Sequence, residues 1–339
     1  MMRIAQKLAV VCALITSVSV AALSAQSELL VGPALGFSPN ADGTAVWPII
    51  GIPGASLLGR RLVLGVEISR AEVSPRQDYL VAIRTEDGQP VISRLSAGTA
   101  APVAIEGTRR GETVFAISPS GPALGMFNQD LKILQVLRGF PAAPELVFEF
   151  DASNIAGRVT ALAVSDDASM ALLGVSRDGI DSLWVVNAST AGFIAPSHAS
   201  SIAFLANRHD AVFADNASGL AFLLPNITNT ASPILLLNRN EGVEGLSGIG
   251  VSDDGRFAVI SGAATGNVGI VDLGTADHTI VRCNCKPSGV HRMTGSAVFR
   301  LNEPPDSMTT LLDLSTGKPR VLVIPPESNT TNQRKEMVR

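Results

Sequence analysis

Short apolar runs separated by polar punctuation fill the chain from residue 26 onward. In "RFAVISG" (256–262) and "NVGIVDL" (267–273) the apolar residues alternate or cluster in short stretches, where a helix would repeat them at three and four. Val, Ile, Leu and Phe dominate these runs and Gly, Asp, Asn and Pro bound them, which predicts strands. With 31 Gly and 20 Pro as breakers, no long helical pattern survives after residue 25.

The strands recur in units. "VSDDGRFAVISG" (251–262) has a close copy in "VSDDASMALLGVS" (164–176), and weaker copies start near 33, 73, 117, 200 and 291. Each unit reads as an apolar strand ending at Ser or its equivalent, a short turn, an alternating strand, a polar loop and a third strand. A fainter fourth strand follows in "PELVFEF" (144–150), "SPILLL" (232–237) and "HTIVRC" (278–283). The anchors are Ser38, Ser74, Ser118, Ser165, Leu205, Ser252 and Thr294, at spacings of 36, 44, 47, 40, 47 and 42 residues. That period predicts an all-β chain, a seven-bladed β-propeller of four-stranded antiparallel blades over 26–326. A two-sheet sandwich is the rival, and it gives no reason for the period. "SELLVG" (27–32) is expected to pair with the last blade, whose final strand is "RVLVIPP" (320–326), while 327–339 reads as a polar C-terminal tail.

The two "VSDD" units, continued by "GNVGIVDLGT" and "DSLWVVNAS", resemble bacterial secreted YVTN/WD40-like β-propeller repeats. The likeness runs along nearly the whole chain after residue 25, with neither a YVTN tetrapeptide nor a Trp-Asp dipeptide. It implies a fold and a habit of engaging partners on the blade ends, and no particular ligand.

Composition agrees with a large core: 46% of residues are hydrophobic and 17% charged, with mean hydropathy +0.30. Residues 1–25 stand apart. "MMRIAQK" is basic, "LAVVCALITSVSV" apolar and "AALSAQ" small, the layout of a signal peptide cut after Ala25. An uncleaved anchor is the alternative, since 8–25 carry no charge, but the small residues favour cleavage. Of the 26 Lys and Arg, Arg3 and Lys7 lie in this leader, which leaves 24 against 30 Asp and Glu, a net charge near −6. An acidic chain without a basic cluster is not expected to bind nucleic acid. No second long apolar run follows, so no membrane insertion is expected after cleavage. The expectation is a secreted or periplasmic monomer.

Candidate chemistry is sparse. Asp253-Asp254-Gly255 looks acidic, but the equivalent slots hold "SDDAS", "SPRQD" and "SPSGP", which are turn chemistry without the ligand spacing of a cation loop. Cys283 and Cys285 are the only thiols beyond the leader. A local disulfide bending around Asn284 is the simplest reading; free thiols, or a metal or redox pair with His291 or His278, stay open. No G-x-S-x-G elbow occurs, and "RHD" (208–210) falls in a turn slot. Few aromatics argue against a multivalent lectin. If a functional face exists, it should lie where the fourth strand of one blade passes to the first strand of the next, at Arg70, Arg110, Arg158, His198, Glu244 and His291. The leading expectation is a non-catalytic scaffold binding a protein or peptide there, without catalytic residue, metal or cofactor. The rival is a propeller hydrolase or lactonase with a metal-assisted site at the channel mouth.

Overall fold

The computed structural model describes residues 33–325, apart from 96–100, 112, 156, 228–231 and 305–307. The leader, the strand expected at 27–32 and the tail at 327–339 lie outside the described residues. Seven antiparallel sheets follow one another along the chain, six of four strands and the first of three. The chain is thus an all-β seven-bladed propeller. Among the described residues one 3₁₀ turn, Arg239–Glu241, is the sole helix, and none is long and apolar enough to cross a membrane.

The strands of each blade are labelled a to d from the axis outward. Blade 4 is typical, with Arg158–Val164, Met170–Arg177, Ile180–Asn187 and Ala191–Ala195 paired in simple succession. Its second strand, "MALLGVSR", is buried over its first six residues because neighbouring blades cover both of its faces. The outermost strand of blade 3, Glu145–Asp151, instead exposes most of its residues. Hydrophobic layers therefore form between blades: Phe127 and Leu134 of blade 3 pack with Leu162 and Leu173 of blade 4, and Leu172 of blade 4 with Phe204 and Phe213 of blade 5. Each such side chain, taken fully out of water, contributes about 1.5–3 kcal/mol.

The period has a local cause. Strand a of blades 2 to 6 ends directly before Ser74, Ser118, Ser165, Leu205 and Ser252. The four serines are at most 1% exposed. In blades 3, 4 and 6 the hydroxyl accepts the N–H five residues on, from Ala123 at 3.0 Å, Met170 at 3.2 Å and Phe257 at 2.9 Å. The residue three after each serine has a left-handed backbone: Gln77 (φ 63°), Gly121 (φ 85°), Ala168 (φ 58°) and Gly255 (φ 68°). Asp254 serves this turn, accepting the Arg256 N–H at 3.0 Å.

Blade 7 has four strands of its own, His291–Arg292, Val298–Arg300, Thr309–Asp313 and Arg320–Ile324, so it does not depend on 27–32 to be complete. The three-stranded blade is the first: Ala34–Pro39, Val46–Ile52 and Ala55–Leu58. Beyond its third strand, Gly59 N–H and Leu62 N–H bond the Pro48 and Val46 carbonyls, and the chain then crosses to blade 2.

Candidate functional site

The first strands converge on an axial channel holding a cavity of about 260 Å³. Blades 3 to 6 give it an apolar wall that includes Phe115, Leu162, Ile202 and Ile249. Blades 7, 1 and 2 give it a polar one. Blade 1 yields there: a side chain at Gly36 (φ 151°) would meet Gln77 Oε1 and Met293 Cε at 2.6 Å, so blades 2 and 7 close across it. Gln77 makes the closure, accepting the Phe37 N–H of blade 1 at 2.6 Å and donating to the Arg292 carbonyl of blade 7 at 2.8 Å.

Within this polar wall Glu72 of blade 2 stands against His291 and Arg300 of blade 7. Glu72 Oε1 lies 3.8 Å from His291 Nδ1, Glu303 Oε1 lies 3.7 Å from His291 Nε2, and Arg300 Nη1 lies 3.6 Å from Glu303 Oε1. Glu72 and His291 line the axial cavity and are about a third exposed (36% and 35%), so water reaches part of each and tempers the effect of burial. Burial pushes the Glu72 carboxyl up to about 7 against the opposing pull of Arg300 and Arg70. Burial, then the positive field of Arg300, lowers His291 to about 3. At neutral pH the imidazole is therefore uncharged and Glu72 is poised to hold or release a proton. Arg300 is 2% exposed, and its Nε has no hydrogen-bond partner among the described residues.

The two carboxylates face opposite nitrogens of the His291 ring, so no single ion reaches all three groups. Among the described residues no three His, Cys, Asp or Glu are placed to hold a metal. A second cluster, Ser169, His209 and Asp167, is not a relay either. Ser169 Oγ at 3.3 Å and Asp167 Oδ2 at 2.9 Å both meet Nε2 of His209, so no proton can pass from one ring nitrogen to the other.

The two ends of the ring differ. Where strand a turns into strand b, the polar groups join blade to blade. Asp166 of blade 4 accepts the Ser120 N–H of blade 3 at 2.7 Å and the Asn207 N–H of blade 5 at 2.8 Å. Arg292 of blade 7, its side chain 8% exposed, lies 3.0 Å from Asp253 Oδ1 of blade 6 and donates to the Pro119 carbonyl of blade 3 at 2.7 Å. It lines both the axial cavity and a shallower hollow at this end with Pro75, Arg76 and Asp253. The first aspartate of each "DD" pair thus bonds between blades, and the second serves its own turn.

At the opposite end, where strand d passes to strand a, stand the six residues singled out by sequence. Arg70 lies with its guanidinium 5.4 Å from the Phe115 ring, near enough to act on Glu72. Arg110 donates to Gln89 Oε1 at 3.0 Å and lies 3.7 Å from Asp87, and His198 Nδ1 is 2.7 Å from Asp181 Oδ2. Arg158 and Glu244 are exposed on the rim. Of the six, His291 lines the channel, and Arg70 stands beside it over Phe115. The sequence reading missed Glu72 and Arg300. Their signal was a charge set inside the apolar strands "ISRAEV" and "VFR".

Cys283 and Cys285 are joined as a disulfide, their Cα atoms 5.1 Å apart. The intervening Asn284 takes the left-handed backbone (φ 52°) that the short loop needs.

No protein-family description matches the chain, and neither does any curated protein. Solved structures do. One is a functionally unknown protein from Desulfotomaculum acetoxidans DSM 771, with TM-score 0.58 and 11% identity over 86% of this chain and 99% of that one. Another is the RRP9 WD40 repeats, with TM-score 0.56 and 15% identity over 85% and 86%. The chain shares the WD40-like propeller fold.

Proposed function

We propose that this chain is an exported, non-catalytic propeller that holds a protein or peptide on the end where strand d passes to strand a. The contrast between the two ends carries the reading. Asp166, Asp253, Arg292 and Gln77 are committed to blade-to-blade bonds at or near the a–b end. Arg70, Arg158 and Glu244 stay exposed around the d–a end, as a partner surface needs. Export is supported by the leader pattern in 1–25 and by the Cys283–Cys285 disulfide, a bond that lasts in oxidising compartments. The exported protein should begin at Gln26 when its N-terminus is sequenced.

The test is charge reversal at each end. Arg70→Glu with Arg158→Glu should abolish co-purification of a partner from the envelope or medium of the source cells. Arg76→Glu with Arg208→Glu, at the a–b end, should leave it intact. Loss in the second pair alone would place the interface on the wrong end and refute the reading.

A further inference from the structure

The axial cavity has a division of chemistry that closing a ring does not require. One wall is apolar, from Phe115 around to Ile249, and the other presents Glu72, His291 and Arg300. Its volume of about 260 Å³ falls just short of a drug-sized pocket. An occupant is therefore small, with a polar head and a short hydrocarbon body.

Electrostatics selects the head. Glu72 faces Arg70 from its own strand and His291, Arg300 and Glu303 from blade 7. Arg292 at the far end is matched by Asp253, and Arg300 by Glu303. With Glu72 protonated and His291 neutral, the positive charge of Arg70 remains, and the same Arg300 field that disfavours an imidazolium disfavours a ligand ammonium. Protonated Glu72 donates through its hydroxyl and neutral His291 through its ring N–H. Arg300 lies behind them, 2% exposed, its Nη1 on the Asn302 carbonyl at 3.1 Å and its Nε shut off from solvent, so it contributes positive field rather than a hydrogen bond. This is a set of donors for one anionic group, and the hydrocarbon opposite meets Leu162, Ile202 and Ile249.

We propose that the channel is a binding site for a small monocarboxylate with a short branched hydrocarbon body, its carboxylate held by Glu72 and His291 in the positive field of Arg300. The acid is free in solution or is the C-terminal carboxylate of a peptide ending in an aliphatic residue. The proposal stands independently of the partner surface on the rim, since Arg158→Glu alters that surface and leaves the channel untouched.

The probes are isovalerate, isoamylamine and isoamyl alcohol, titrated calorimetrically into the full exported chain at about pH 5.5 and about pH 8.5. Isovalerate should bind saturably at the lower pH, with the amine at least about tenfold weaker. Raising the pH should weaken isovalerate roughly 30-fold as Glu72 ionises beside it. Glu72→Gln keeps a donor and removes the charge, so its affinity should change little between the two pH values. Ile202→Trp fills the apolar half and should abolish binding in a protein whose circular dichroism is unchanged. Tighter binding by a peptide ending in Leu than by its C-terminal amide identifies a chain end as the source, and binding by isovalerate alone identifies a free acid. Equal binding of acid and amine overturns the proposal, as does failure of both acid forms to bind folded protein at either pH.

Discussion

Blades 3 to 6 and the seam of blades 7, 1 and 2 are built from the same repeat but solve different problems. In blades 3 to 6 strand a is five to seven residues long, and apolar residues prevail on the channel side. At the seam strand a of blade 7 shrinks to His291–Arg292, blade 1 has three described strands, and Gln77 bonds to residues 40 and 215 positions away. Regular blades are held by contacts within and between neighbours, as in other repeat architectures. The seam joins the two ends of the chain, and there the charged groups gather. Regularity marks the scaffold, and its breakdown marks the place where chemistry collects.

The sharpest way to break the seam is Gly36→Val. The new side chain would enter space held by Gln77 and Met293 at 2.6 Å, at a φ of 151° that branched residues avoid. A loss of about 3 kcal/mol is expected, read as a lower urea midpoint at unchanged slope. Gly174→Val is a close site between regular blades 4 and 5, against the Ala199 carbonyl at 2.9 Å, and an equal loss there would show that the seam is not special.

Anchor substitutions should sort the regular blades from the seam. Ser252→Ala removes the buried acceptor of the Phe257 N–H and should cost about 1–2 kcal/mol. In blade 7 the equivalent position is Met293, whose N–H bonds the Val298 carbonyl as that of Ser252 bonds Phe257, and the exposed hydroxyl of Thr294 stands one residue on. Thr294→Ala should therefore change stability by less than about 0.5 kcal/mol, and a loss equal to that at Ser252 would mean that this hydroxyl anchors blade 7 in its place.

The last effect is one of pH. Glu72 titrates near 7 in the fold and at 4.5 in a model peptide, so the folded chain binds the extra proton between these values. Its contribution to stability is fully present below about 4.5 and is lost as pH rises through 7. His291, lowered to about 3, acts oppositely, favouring the fold above 6.5 and losing that contribution as pH falls through 3. Glu72→Gln should therefore gain on the parent chain as pH rises from about 4.5 to about 7. A difference between the two that does not vary with pH would show that the Glu72 carboxyl titrates alike in the folded and the unfolded chain.

The scaffold was legible because its cause is short-ranged. Ser252 bonds five residues ahead, and Gly255 turns within the same loop, so the period is written in adjacent letters. The three faint outer strands were found too, as Glu145–Asp151, Ile234–Asn238 and His278–Arg282. The axial chemistry was not legible. Glu72 and His291 are 219 positions apart, and only closure of the ring brings them together. Asp253 shows the limit most clearly, because sequence marks it as part of a turn and cannot show that its carboxylate reaches Arg292 of the next blade.

Arg292 has one further consequence. A guanidinium anchored to blades 3 and 6 stands between the axial cavity and the hollow at the a–b end and lines both. Passage between them would have to displace a side chain held by two blades, which favours the opposite mouth for entry and escape. A partner seated on the rim would then act as a stopper, lengthening the stay of anything beneath it without touching it.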